Sequence, residues 1–249
     1  MDLYYEVYGN GKPVILLHGG GADLRDWTFV VPLLARNYKV VAFDGRGAGK
    51  SPSPVEPANY VEDLRALLDH LEIDKTALVG HSLGGQIATD FALTYPKRVS
   101  ELVLVSPSLS GFRFSQEFEE WMQQINAAAP DTEKMVELSL NSPSYRVIMA
   151  GPNRDLMIQM LQHHIQRTFE WATFESVWPQ PPAIERLEGL TVKTLFIIGT
   201  EDLPDLHRVA DCFQQVPNIR FVEIAGADHK VTLTHPEELY RHITRFMEE

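Results

Sequence analysis

The chain has 249 residues, of which 44% are hydrophobic and 22% charged. This composition is typical of one folded globular domain and not of a disordered protein. The formal net charge is −12 at pH 7, so nucleic acid is not an expected partner, because its phosphates would be repelled. The single cysteine, Cys212, excludes an internal disulfide and a cysteine-based metal cluster, and we expect it to pack in the interior.

The first residues of the chain lack the basic and apolar stretches of a secretory signal. The longest apolar runs, such as 14–17 and 195–198, are far too short to span a bilayer. We therefore expect a cytoplasmic protein without a membrane partner.

Short apolar runs rich in β-branched residues recur along the chain and predict strands that are buried on both faces of a parallel sheet. The predicted strands are 3–7, 14–17, 39–43, 76–79, 102–105, 194–198 and 220–224. Apolar residues at helical spacing follow several of them, beginning at residue 60, at Ser82 and at residue 237. This alternation predicts an α/β fold with a doubly wound, mostly parallel sheet, in which ligands bind beyond the carboxyl ends of the strands.

One stretch, residues 111–185, interrupts the alternation because it contains no convincing strand pattern. Apolar residues at helical spacing predict helices near 114–125 and 157–169, and the stretch is rich in tryptophan and methionine. We therefore predict a core domain formed by residues 1–110 and 186–249, with a helical cap, residues 111–185, inserted over the strand ends.

The segment Gly80-His81-Ser82-Leu83-Gly84 matches the Gly-x-Ser-x-Gly pattern of a nucleophile elbow. In such an elbow the serine stands on a sharp turn between a strand and a helix, and small neighbours are required. The alternative is a serine that only caps a helix. A buried strand before the motif and an amphipathic helix after it favour Ser82 as a nucleophile.

A serine nucleophile needs a histidine base and an acid, which follow in the order serine, acid, histidine on this type of sheet. His229 follows the last predicted strand and is the expected base. Asp202 follows the strand before it and is the expected acid, with Asp205 and Glu201 as nearby alternatives. We interpret Asp228 as a residue that fixes the loop, because it should point away from its neighbour His229.

An oxyanion hole requires two main-chain N–H groups directed at the developing negative charge. Leu83, directly after the nucleophile, is expected to supply one. The glycine loop 18–21 supplies the other, from Gly20 or, as the second choice, from Gly21, because glycine permits close approach of the backbone. A phosphate-binding loop is disfavoured because the required Lys-Ser/Thr pair is absent after the second glycine.

Four residues are expected to contribute to the substrate site. Gly21 lies on the glycine loop, and Trp121 and His164 lie in the predicted cap. His81, beside the nucleophile, is expected to pack under the elbow and is also assigned to the substrate site. No metal ion and no cofactor are expected.

With Ser82, Asp202 and His229 in this order after the glycine loop, the chain resembles the α/β-hydrolase superfamily, in its serine esterase/lactonase-like branch with a helical cap. Residues 43–51 are similar to the Asp-x-Arg-Gly-x-Gly-x-Ser loop of that family. The resemblance implies the roles given above for Ser82, Asp202, His229, Leu83 and Gly20. The family usually has two strands before the glycine loop and this chain has room for one, so we expect about seven to eight strands.

The resemblance implies a serine hydrolase that acts on a small-molecule ester or lactone through an acyl-enzyme. Uncharged carboxylic esters of small to medium size are the expected substrates. Enol-lactonase and perhydrolase (haloperoxidase-like) activities on the same triad remain alternatives. Hydrolysis of carbon–carbon bonds is a weaker one, since His81 and Lys230 stand where asparagine and an aromatic residue are common. A ligand receptor with slow turnover is the alternative from a different class of function.

Overall fold

The computed structural model describes residues 1–249. Its strands are β1 (Tyr5–Tyr8), β2 (Lys12–Leu17), β3 (Tyr38–Phe43), β4 (Thr76–His81), β5 (Val99–Val105), β6 (Lys193–Gly199) and β7 (Ile219–Ile224). They form one seven-stranded sheet in the order β1-β3-β2-β4-β5-β6-β7. All neighbouring pairs are parallel except β1 with β3. The predicted mostly parallel sheet is confirmed, and its first strand ends one residue later than expected.

The helices are α1 (Val31–Leu34), α2 (Tyr60–His70), α3 (Leu83–Thr94), α4 (Gln116–Ala127), α5 (Thr132–Leu140), α6 (Arg146–Ala150), α7 (Arg154–Thr168), α8 (Pro204–Phe213), α9 (Val231–Thr234) and α10 (Pro236–Glu248). None of them combines the length and the apolar character that crossing a bilayer requires. Helices α2, α3 and α8 pack on one face of the sheet, and α1 and α10 pack on the other.

The alternation of side chains along β2 shows why both faces of the sheet are covered. Ile15 and Leu17 belong to the apolar cluster beneath α2, α3 and α8, whereas Val14 and Leu16 belong to the cluster beneath α1 and α10. Successive residues of a strand point to opposite faces, so a continuous apolar run requires helices on both sides. The doubly wound arrangement follows from this pattern. Cys212 on α8 is only half-buried, so it is less enclosed than expected.

Between β5 and β6 the chain forms four helices, α4 to α7, which we call the insertion helices. Their apolar side chains form a third cluster, separate from the two clusters of the sheet. Two residues from outside the insertion, Ala22 and Leu233, belong to this third cluster and connect the insertion helices to the strand ends.

Hydrogen bonds also join the insertion helices to the loop that contains His229. The N–H of His229 donates to the carbonyl of Ser144 at 3.1 Å. The N–H of Ile148 donates to Asp228 Oδ2 at 2.8 Å, and Asn153 Nδ2 donates to the carbonyl of Leu233 at 2.8 Å. The predicted loop-fixing role of Asp228 agrees with these contacts. The stretch between β5 and β6 is therefore bonded to the segment from Asp228 to Leu233 through α6 and through the turns that precede α6 and α7.

The buried carboxyl of Asp90 on α3 makes the stability of the fold sensitive to pH. Burial raises the pKa of Asp90 from 3.8 to about 6, although Ser110 and Arg186 oppose the shift. A raised folded-state pKa favours folding below the unfolded pKa, and this contribution is lost as the pH rises through about 6. Asp90→Asn, which stays neutral, should therefore match the wild type near pH 4 and exceed its unfolding free energy at pH 8 by about 3 kcal/mol. Urea unfolding at both pH values measures this difference, and a difference that does not change with pH would contradict it.

Candidate active site

A strained residue stands at the junction of β4 and α3. Ser82 follows the strand directly and precedes Leu83, the first residue of the helix, and its φ of 52° lies in the left-handed region. Glycine is required two residues before and two residues after Ser82, because no space is left there for a side chain. A Cβ on Gly80 would press on the main chain of Gly84, and a Cβ on Gly84 would press on the carbonyl of Leu17. The predicted elbow therefore has the backbone geometry that exposes a serine hydroxyl at the strand end.

Three side chains from different strand ends form a continuous hydrogen-bonded chain. Ser82 Oγ lies 3.1 Å from His229 Nε2. His229 Nδ1 lies 3.1 Å from Oδ1 and 3.3 Å from Oδ2 of Asp202. A carboxylate that accepts from Nδ1–H leaves the Nε2 lone pair free to accept the serine proton. The structure thus brings together the three residues that the sequence motifs selected.

The environment of Asp202 favours its ionised form. Burial alone would raise its pKa, but the charge and the hydrogen bond of His229 outweigh burial and lower it. The N–H of Leu203 also donates to Asp202 Oδ1 at 2.7 Å. An ionised Asp202 can stabilise the imidazolium that forms when His229 takes a proton.

The two alternative acids contact other partners. Asp205 Oδ1 accepts from the N–H of Ser115 at 3.0 Å and from Arg208 at 2.7 Å. Its Oδ2 accepts from Ser115 Oγ at 2.7 Å, so it connects the start of α4 to α8. Glu201 pairs with Arg146 at 2.5 Å. Neither carboxylate is bonded to His229.

The glycine loop lies over Ser82, and only some of its N–H groups have an acceptor in the protein. The N–H of Gly19 donates to Asp26 Oδ2 at 3.1 Å and is therefore occupied. The N–H of Gly20 has no acceptor in the protein, and a Cβ on Gly20 would lie 3.9 Å from Leu83 Cβ. Leu83 is the first residue of α3, where main-chain N–H groups have no partner within the helix. Gly20 and Leu83 therefore remain the expected oxyanion donors, and Gly21, whose N–H also has no acceptor in the protein, remains the second choice.

A cavity of about 420 Å³ opens onto Ser82 and His229. Most of its wall is apolar and comes from the insertion helices and α8, and no Asp, Glu, Lys or Arg side chain lines it. Gly21, Trp121 and His164 all line this cavity, where the sequence analysis placed the substrate. Its shape and apolar wall are those of a small-molecule site.

His164 is a polar group in this mostly apolar wall. Its ring lies edge-on to Trp171, with the ring centroids 5.9 Å apart. Burial lowers the pKa of His164 to about 4, so the imidazole is neutral at physiological pH. Its Nδ1 is buried and has no hydrogen-bond partner in the protein.

The assignment of His81 to the substrate site is wrong. The residue is completely buried and does not line the cavity. It lies under the elbow, where it was also expected to pack. Its Nδ1 lies 2.6 Å from Asp26 Oδ2, and its Nε2 lies 2.8 Å from the main-chain carbonyl of His229. As the last residue of β4, it follows Ala77 and Val79 at the two-residue period and points to the face of the sheet that α1 and α10 cover.

No sequence motif identified the residues around His81. Asp26 and Thr232 are completely buried, and Lys230 is 1% exposed. Burial alone would raise the pKa of Asp26, but the charges of His81 and Lys230 outweigh burial and hold that pKa well below its usual range. Lys230 precedes a short stretch of mixed polarity, residues 231–233, which gave no clear signal of burial. Asp26 had no such signal, because its partners lie far away in the chain.

Comparisons with known proteins agree with this geometry. A family model described as the alpha/beta hydrolase fold matches residues 12–236. A pimeloyl-[acyl-carrier protein] methyl ester esterase of Legionella pneumophila is 26% identical over 246 residues, which cover 95% of this chain and 95% of that protein. A dihydrolipoyllysine-residue acetyltransferase component of an acetoin cleaving system, from Pseudomonas putida, is 39% identical over 107 residues. That match covers 41% of this chain and only 29% of the length of that relative.

Solved structures show the same architecture. The crystal structure of a hydrolase from Pseudomonas aeruginosa PA01 aligns with a TM-score of 0.81 and 24% identity, over 99% of this chain and 94% of that chain. At this identity the likeness to the solved structure supports the fold alone. Membership of the family rests on the family model, which covers most of the chain. The chain therefore belongs to the α/β-hydrolase fold family.

Proposed function

We propose that the protein hydrolyses carboxylic esters of small to medium size and largely apolar character, through an acyl-enzyme on Ser82. One observation carries the proposal. The bonded chain of Ser82, His229 and Asp202 opens into a cavity without a charged wall residue.

The first half of the proposed reaction forms the acyl-enzyme. His229 Nε2 takes the proton of Ser82 as Oγ attacks the ester carbonyl, and a tetrahedral oxyanion forms between the N–H groups of Leu83 and Gly20. Asp202 stabilises the imidazolium. His229 then gives its proton to the leaving alcohol as the bond between the carbonyl carbon and the alcohol oxygen breaks.

The second half repeats these steps with water in place of serine. His229 takes a proton from the water as its oxygen attacks the acyl carbon, and the same two N–H groups hold the second oxyanion. Its collapse breaks the bond to Ser82 Oγ, which receives the proton from His229. The carboxylic acid leaves and the enzyme returns to its starting state.

The wall of the cavity supports an uncharged substrate. Transfer of a charged group from water to an apolar site without a partner is strongly unfavourable. None of the four arginines of residues 111–185 lines the cavity; they are Arg113, Arg146, Arg154 and Arg167. A relative that matches over nearly the whole chain is a methyl ester esterase, which agrees with ester hydrolysis.

We also propose that residues 111–185 act as a cap over this site, inserted between core segments 1–110 and 186–249. The insertion helices supply Trp121, Ile125, Met157 and His164 to the cavity wall. These side chains would contact the substrate, while the core supplies the reacting groups.

A panel of p-nitrophenyl esters and lactones tests the proposal. We expect turnover of neutral esters, and p-nitrophenyl valerate should react faster than its anionic match, the p-nitrophenyl monoester of glutaric acid, because the cavity offers no cation. Faster ring opening of lactones would move the assignment to a lactonase. Labelling of Ser82 by a phosphonate probe without turnover of any ester would support the slow receptor instead.

A further inference from the structure

We propose that His81 is a positioning residue for the catalytic base, because it hydrogen-bonds the buried carboxylate of Asp26 to the main chain of His229. The inference rests on the proposed roles of Ser82 and His229. It assigns a task to a buried histidine that does not touch the cavity.

The bond from His81 to the base has a defined direction. His81 Nε2 lies 2.8 Å from the carbonyl oxygen of His229. A carbonyl oxygen can only accept, so Nε2 bears a proton and donates it. The two imidazole rings are neighbours, with centroids 5.0 Å apart. The residue before the nucleophile therefore holds the backbone of the base.

The other side of the ring is held by Asp26. The 2.6 Å separation of His81 Nδ1 and Asp26 Oδ2 requires a proton between them, because two lone pairs would repel at this distance. Since Nε2 also bears a proton, the two side chains together hold two protons. Burial lowers the pKa of His81, and the charge and hydrogen bond of Asp26 oppose this shift. Oδ2 also accepts from the N–H of Gly19 at 3.1 Å. Oδ1 accepts from Thr232 Oγ1 at 3.0 Å and faces Lys230 Nζ at 3.3 Å. Four donors thus converge on one completely buried carboxylate.

The donors belong to three segments that must be aligned for catalysis. Gly19 precedes the proposed oxyanion donor Gly20, and His81 precedes Ser82. Lys230 directly follows His229. Because reaction rates depend steeply on the placement of reacting groups, a carboxylate that joins all three segments affects the rate without touching the substrate.

Two variants of similar size separate the two bonds of His81. A glutamine at this position places its amide nitrogen near that of imidazole Nε2 and can still donate to the carbonyl of His229. The amide nitrogen of an asparagine reaches only the position of Nδ1. This variant therefore keeps the contact with Asp26 and loses the bond to the carbonyl of His229. We expect kcat of His81→Gln within about tenfold of the wild type. For His81→Asn we expect a fall of up to about 100-fold. KM should be unchanged in both, since the residue lies outside the cavity.

Thr76→Val is the matched control. It removes a buried hydrogen bond from the same strand as His81, but far from His229. Thr76 lies at the other end of β4, is 1% exposed and donates to the carbonyl of Pro13 at 2.8 Å. We expect this variant to lower Tm while kcat stays at the wild-type value. If neither His81 variant folds, Asp26→Asn provides the same test and should lower kcat with KM unchanged.

The rate at which a phosphonate probe labels Ser82 is measured beside kcat and Tm. This rate depends on His229 but not on the choice of ester, so it tests the role of His81 even if the proposed ester hydrolysis fails. A lower rate in His81→Asn than in His81→Gln at equal Tm supports the proposal. Equal rates in the two variants, losses that follow Tm, or a change confined to KM would overturn it.

Discussion

Replacement of Ser82 by alanine is expected to lower kcat for ester hydrolysis by a factor on the order of 10⁴ to 10⁶. The hydroxyl lies 3.1 Å from His229 Nε2, and both residues line the cavity. Without it no acyl-enzyme can form, and only the oxyanion donors and substrate binding remain. Steady-state kinetics with the best ester of the panel measures the loss, which should appear in kcat with little change in binding.

Ser108→Ala is the matched control for this variant. Ser108 lines the same cavity, and its N–H donates to the carbonyl of Ser82 at 3.0 Å, which the substitution leaves intact. We expect its kcat to stay within about tenfold of the wild type. A Ser82→Ala protein that keeps full activity would place the nucleophile elsewhere, and the residue labelled by the phosphonate probe would identify it.

Asp202→Asn is expected to lower kcat by about 10⁴-fold at neutral pH. An amide in place of the carboxylate can donate to His229 Nδ1, which turns the imidazole to the tautomer that cannot accept the serine proton. The amide also removes the charge that stabilises the imidazolium. The fold should survive, because asparagine has nearly the same size as aspartate.

Asp205→Asn provides the comparison, since Asp205 is the nearest competing acid in sequence. Its carboxylate bonds to Ser115 and Arg208 and not to the base. We expect a loss of unfolding free energy of about 1 to 3 kcal/mol with kcat nearly unchanged. The reverse result, with kcat lost in Asp205→Asn and kept in Asp202→Asn, would contradict the assignment of the acid.

The sheet and the elbow were predictable because their signals are local. The strand before the elbow contains a continuous apolar run, residues 77–79, and the elbow requires glycine where a Cβ would meet main chain. The position of His229 followed from the chain order of the motif. Each of these predictions needed only a few consecutive residues and the rule that parallel strands end at one edge.

Other features depend on contacts that no local pattern contains. Asp202 and Asp205 lie on the same short stretch, and only the path of the chain from β6 into α8 decides which carboxylate meets His229. The contact of Asp26 with His81 joins residues 55 positions apart, and that with Lys230 joins residues 204 positions apart. In the sequence, the charged residues of such a buried cluster look the same as charged residues on the surface. Only the fold distinguishes them.

The stretch between β5 and β6 is hydrogen-bonded to the loop that contains His229. These bonds limit how the substrate preference of the protein can change. The main chain of His229 is bonded to Ser144, and the side chain of Asp228 to Ile148. The segment that shapes the pocket is therefore also part of the support of the base. A chimera that exchanges this segment for a foreign one would lose activity towards every substrate unless it restored both bonds. New substrate preferences are accordingly more accessible through single substitutions at the cavity wall than through exchange of modules.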